Sequence, residues 1–280
     1  MSRYRIVHTT GFRYGGQAVA SYNEARMLPT RDNSQLVFST KLDIQPHGSS
    51  HEYFDYFKTR AVMFEVLEPH SELTITSTSV VELRPTIGAE PGLAWGDLEP
   101  EIRNSLELTD AVTQTKRTAP PADLVRFAKR VAAKSTPHET AMLVCRKVFE
   151  DMTYRHGVTG VNSIASEAWS AKIGVCQDYA HITLGALRAV GIPARYVSGY
   201  LHPSKDPKVG EKVVGESHAW VEWWAGSWFA FDPTNDVYAA DRHVVVGRAR
   251  DYDDLAPLRG VFAGAVDSEL FVSVEITKEA

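Results

Sequence analysis

Three residues far apart in the 280-residue chain have the types that nucleophilic acyl chemistry uses: Cys176, His218 and Asp232. Cys176 stands in Gly174-Val175-Cys176-Gln177-Asp178-Tyr179-Ala180-His181, at the head of an apolar helical run. A cysteine at a helix N-terminus meets unpaired backbone N–H groups and the positive end of the helix dipole, which favour the thiolate. Its own N–H is a ready oxyanion donor, and Gly174 is expected to let the entering chain turn tightly. His181, five residues on, points about 140° away around a helix, so it reads as a structural histidine. His218 is the better base because it opens a strand running to Trp224. If Ala225-Gly226-Ser227 is a three-residue turn with Gly226 at positive φ, Trp224 pairs with Trp228 and Trp220 with Asp232. His218 and Asp232 then share a sheet face as diagonal neighbours, whereas a two-residue turn would separate them. Asp232 would fix the imidazole tautomer, the third role in a nucleophile, base and orienter set. Asp232→Asn is expected to lose less activity than His218→Ala, since an amide can still orient a ring.

These residues need a helix and a sheet to hold them, and the chain divides accordingly. Residues 1–112 read as short β-branched and aromatic runs between polar or Gly/Pro breaks, the pattern of an antiparallel β-sandwich-like domain. Arg5 to Thr10, Gln35 to Thr40, Val62 to Leu67 and Leu73 to Thr78 are such runs. Thr113 to Pro121 is polar, ends in two prolines and reads as a linker. Residues 113–280 then carry helical periodicity over Asp123 to Lys134 and Pro137 to Asp151, with a cap from Ser135-Thr136 and a first-turn proline. A third helix starts near Cys176 and ends at Gly191-Ile192-Pro193. Strands follow at Ala194 to Leu201, His218 to Trp224 and Trp228 to Asp232. The fold class is α+β. The charged stretch Leu201 to Glu216 feeds into His218 and reads as a substrate rim or lid.

Bulk composition removes other functions. With 44% hydrophobic and 23% charged residues and a net charge of −5, nothing steers the chain to nucleic acid or an acidic membrane. The N-terminus has no apolar signal segment and no window spans a bilayer, so a cytoplasmic location is the expectation. Reduced thiols follow there, leaving Cys145 as a buried core residue and Cys176 as the reactive one. The ten histidines lack zinc-ligand spacing, and no phosphate loop is present, so no metal site and no cofactor are expected.

With these blocks in this order, the chain resembles the transglutaminase-like superfamily, and most of all its bacterial members with an extra N-terminal β region. The resemblance rests on His8-Thr9-Thr10, Phe54-Asp55-Tyr56-Phe57, the Cys176 block, Gly191 to Tyr200, His218-Ala219-Trp220-Val221, Asp232-Pro233-Thr234-Asn235, and Gly247-Arg248 with Asp251-Tyr252. One departure is Lys58-Thr59, where a Gly-Asn pair is expected. The resemblance implies a papain-like core of a helix bearing the cysteine on an antiparallel sheet. It also implies Cys176 as nucleophile, His218 as base and Asp232 as orienter, acting on a peptide or protein amide. Gln177, Trp169 and Tyr154 remain open as the second oxyanion donor, and Trp220 stands beside the triad as a wall of the cleft or part of the sheet core. A cysteine protease or amidase, a transglutaminase-type acyltransferase and a peptide-binding scaffold are the three readings.

Overall fold

A computed structural model describes residues 2–84, 92–157, 160 and 162–280, apart from the Glu216 side chain. The N-terminal part contains β1 (Ser2–Ala18), β2 (Ala20–Ala25), β3 (Gln35–Gln45), β4 (Ser49–Phe54), β5 (Arg60–Val66) and β6 (His70–Leu83). Alternation drives β6: Leu73, Ile75, Ser77, Ser79, Val81 and Leu83 are buried while the residues alternating with them are less so. Two antiparallel sheets stack over Tyr14, Met27, Phe64, Val66, Leu73 and Ile75, so the sandwich-like arrangement is present.

Both sheets also take strands from the C-terminal end. The strand β14 (Leu258–Ala263) pairs with β2, and β15 (Ser268–Lys278) pairs with β1 from Tyr4↔Lys278 to Tyr14↔Ser268. The N-terminal β region is therefore completed by the last residues of the chain.

Between them lie α1 (Trp95–Arg103), α2 (Leu106–Val112), α3 (Ala122–Ala132), α4 (Pro137–Asp151), β7 (Thr153–Tyr154), α5 (Ala165–Ala171), β8 (Ile173–Gly174), α6 (Cys176–Arg188), β9 (Ala194–Leu201), β10 (Lys212–Trp224), β11 (Trp228–Asp232), β12 (Val237–Tyr238), β13 (His243–Ala249) and α7 (Tyr252–Leu255). The Thr136 side chain accepts from the Glu139 N–H, and the Glu139 carboxylate accepts from the Thr136 N–H, a capping box that fixes the start of α4. Helices α1 and α2 are a correction, because this stretch was expected to be strands and turns. Gly96 and Pro100 inside α1 and the seven-residue length of α2 hide their periodicity.

The expected linker is also packed rather than free. Thr118 is fully buried against α6, its hydroxyl accepts from Arg188 Nη1 at 3.1 Å, and Gln114 Nε2 donates to the Gly185 carbonyl at 2.7 Å. A Cβ on Gly185 would stand 1.9 Å from the Thr118 carbonyl oxygen, so only glycine permits this approach.

Helix α6 is buried along almost its whole length between α3, α4, α5 and the sheet. Strand β10 joins the two halves: Lys212 to Gly215 pair with β15, and Glu216 to Trp223 pair with β9. The last five residues of the expected rim, Lys212 to Glu216, are thus sheet strand, and the loop is confined to the stretch between Leu201 and Lys212. No helix among the described residues is long and apolar enough to cross a membrane.

Candidate active site

Cys176 is the first residue of α6, where its N–H has no intrahelical acceptor. The helix entry is fixed by Asp178, whose Oδ2 accepts from the Val175 N–H at 2.9 Å while Oδ1 accepts from the Ser163 hydroxyl. Gly174 serves this packing. A Cβ there would lie 2.7 Å from the Asp178 Cβ, and the residue has no positive φ, so the expected tight turn is replaced by a close approach. The thiol is half-buried, whereas Cys145 is fully buried on α4 and desolvation drives its thiol strongly upward.

The hairpin between β10 and β11 has the expected register. Trp224 pairs with Trp228 and Val221 with Phe231, with Gly226 at φ 89° in the turn. This register brings His218 Nε2 to 2.7 Å from Asp232 Oδ2. Asp232 is fully buried, and burial alone would favour its neutral form; the adjacent His218 and His243 rings more than offset this and hold the carboxyl far below its usual range. An ionised carboxylate only accepts, so Nε2 carries the proton and Nδ1 is left for sulfur. The Cys176 side chain lies close enough to the ring to favour its protonated form. Burial on its own would push His218 down, but the Asp232 carboxylate and Cys176 outweigh it and raise the ring to about 10.

His243, on β13, escaped the sequence reading. Its Nε2 lies 3.2 Å from Asp232 Oδ2 and its Nδ1 accepts from the Ala240 N–H at 3.3 Å, which sets a neutral Nε2–H tautomer. Burial lowers its pKa despite the carboxylate. Asp232 also accepts from Asn235 Nδ2 at 2.7 Å and from the Thr234 and Asn235 N–H groups at 2.9 and 3.3 Å. The donor atoms of His218, Asp232 and His243 lie within 4.8 Å of one another, a spacing a metal ion could bridge. Here both rings donate to the carboxylate instead.

Of the remaining named residues, Tyr154 pairs with Gly174 through the short β7–β8 ladder and is partly exposed near the start of α6. Gln177 is buried directly after the sulfur-bearing residue. Trp169 is buried with its only donor committed to the Asp123 carboxylate at 2.9 Å, so the structure removes it as an oxyanion donor. Trp220 is 1% exposed and lies in the sheet core, stacked 6.1 Å from the His218 ring and edge-on to His243 at 5.2 Å. It orders the two rings rather than walling an open cleft. His181 is fully buried, pushed down to about 3 by desolvation, and accepts from the Tyr252 N–H, as expected of a structural residue.

Comparison with known proteins gives the family. Residues 125–233 match the transglutaminase-like superfamily and residues 4–82 match the bacterial transglutaminase-like N-terminal region. The chain belongs to the transglutaminase-like superfamily. An uncharacterised protein of Mycobacterium leprae is 41% identical over 281 residues, covering 100% of both chains, and one of Mycobacterium tuberculosis is 33% identical over 98% of this chain and 92% of its own. A protein-glutamine gamma-glutamyltransferase of Pseudomonas aeruginosa is 35% identical over 89 residues, 30% of this chain and 13% of its own. A Cytophaga hutchinsonii structure titled "Putative Cysteine Protease" has the same fold, with a TM-score of 0.75 and 18% identity over 100% of this chain and 91% of that one.

Proposed function

We propose that this superfamily member is a cysteine protease or amidase that cuts a peptide or protein amide through a thioester on Cys176. The observation that carries the reading is the His218 ring, held by Asp232 at 2.7 Å through Nε2, with Cys176 beside it at the head of α6. The thiolate attacks the amide carbonyl to give a tetrahedral oxyanion, which the Cys176 N–H receives together with a second donor drawn from Gln177 or Tyr154. The imidazolium then protonates the leaving amine, the C–N bond breaks and the thioester remains. Water, deprotonated by the now neutral ring, attacks the thioester, releases the carboxylic acid and restores the thiol. His243 acts as a positioning residue through Asp232.

An acyltransferase uses the same residues with an amine in place of water, and the partial match to the Pseudomonas aeruginosa enzyme favours it as the second reading. A panel of glutamine and isopeptide-linked peptides, assayed with and without a primary amine, separates the two. Hydrolysed product with no amine incorporated supports the protease or amidase; incorporation supports the transferase. Loss of all turnover in Cys176→Ala, with Cys145→Ser unaffected, assigns the thiol.

A further inference from the structure

A cavity of about 1060 Å³ lies between the N-terminal β region, α2 and the ends of β9 and β13. It is not at the sulfur. Ala111 on its wall accepts from Nε of Arg188, the last residue of α6, while Cys176 is the first. A 13-residue helix spans about 20 Å, which sets the separation.

The charge lining this cavity is uneven. Each acidic group on the wall is already engaged: Asp32 with Arg248, Glu52 with Arg60, Glu107 with Arg195, and Asp110 with the Tyr56 hydroxyl. Arg31 and Lys58 line it too, and neither has an acidic partner among the described residues. Lys58 adopts φ 62°, a conformation that glycine takes without strain, so a cation is kept where the backbone prefers none. Phe38, Phe54 and Tyr56 give the same cavity an exposed aromatic surface.

The wall also offers backbone. Strand β3 is the terminal strand of its sheet, and Val37 to Thr40, which span a bulge between Val37 and Ser39, line the cavity, so the strand's unpaired edge borders it. An unpaired edge presents alternating N–H and C=O groups that an extended chain can complete.

We propose that this cavity seats an extended acidic segment of the protein substrate, lying along the outer edge of β3 with its carboxylates toward Arg31 and Lys58. That the segment belongs to a substrate rests on the amide-bond reading above. The distance to Cys176 then requires at least about six extended residues between the acidic segment and the amide attacked.

Binding is read without turnover, by fluorescence anisotropy on Cys176→Ala protein with a labelled octapeptide of alternating Glu and Val and its Lys-for-Glu counterpart. The acidic peptide should bind saturably, the basic one should not, and affinity should fall about tenfold between 50 and 500 mM salt. Lys58→Gly should weaken binding about fivefold while leaving the thermal midpoint unchanged or higher, a pair of effects that a purely structural lysine would not give. Equal binding of both peptides, no binding of the acidic one, or indifference to Arg31→Glu with Lys58→Glu would overturn the proposal. So would a concentration-dependent dimer in sedimentation that Lys58→Glu dissolves, which would assign the β3 edge to a second copy. Peptide binding without any turnover by the unmutated chain would instead count against the amide-bond reading alone.

Discussion

Asp232 receives five hydrogen bonds, all from donors: two ring N–H groups, one side-chain amide and two backbone N–H groups. This reverses the expectation for Asp232→Asn. An amide has an NH₂ that must face at least one of these donors, and it removes the negative charge that holds the His218 ring protonated beside sulfur. We expect a loss at least as large as that for His218→Ala, on the order of 10² to 10⁴ in kcat, with the fold checked by circular dichroism. His243→Ala removes one donor and should lower kcat roughly tenfold, about 1.4 kcal/mol, at unchanged KM. His243→Gln, which still offers an N–H, should recover most of it. Because the carboxylate and sulfur raise His218 to about 10, the ring keeps its proton at neutral pH and loses it only as pH climbs through that value. The alkaline limb of kcat/KM should therefore fall near pH 10, and a limb near 6.5 would contradict the ion pair. Cys176, His218 and Asp232 were legible from type, spacing and turn length. His243 was not, since β13 reaches Asp232 only through tertiary pairing with β9 and an isolated strand histidine carries no local signal.

At the scale of elements, the hairpin and α6 do the positioning. Strands β9 and β11 and helix α4 were readable to their ends because capping, turn and periodicity signals agree there. The extent of β10 was not, since Lys212-Val213-Val214-Gly215, set in a charged stretch and closed by a glycine, becomes strand only by pairing with β15. Gly185 gives a test of the packing around α6. In an isolated helix, alanine is favoured over glycine by about 1 kcal/mol. Here its Cβ would meet backbone at 1.9 Å, and overpacking of that kind costs about 1–3 kcal/mol. Gly185→Ala should therefore lower stability in urea denaturation, and a stabilised variant would show that Thr118 does not seat on the helix.

Across the whole molecule, the two halves are joined by side chains as well as by β10 and β15. Gln35 donates to the Val245 carbonyl and accepts from its N–H, and Arg248 bridges Asp32 of the N-terminal region to Glu222 of β10. Glu222 is buried, which alone would raise its carboxyl, but Arg248 and Arg195 together hold it low, and Arg248 does the same for Asp32. Removing one partner strands buried charge, so Arg248→Ala should cost about 3–5 kcal/mol of unfolding free energy. Carboxyls held below their unfolded values contribute stability that is complete above those values and disappears as pH falls through the folded ones. The wild-type chain should lose stability below about pH 4.5, and the Arg248→Ala chain should lose less of it over that range. The return of the last two strands to the first was invisible in sequence, because long-range pairing leaves no periodic mark of its own.

Peptide mapping by mass spectrometry, after brief incubation with an activated glutamine-peptide ester and acid quench, tests the chemistry most directly. An acyl adduct is expected on Cys176, absent in Cys176→Ala and strongly reduced in His218→Ala. An adduct on Cys145, or turnover with no acylated thiol at all, would contradict it.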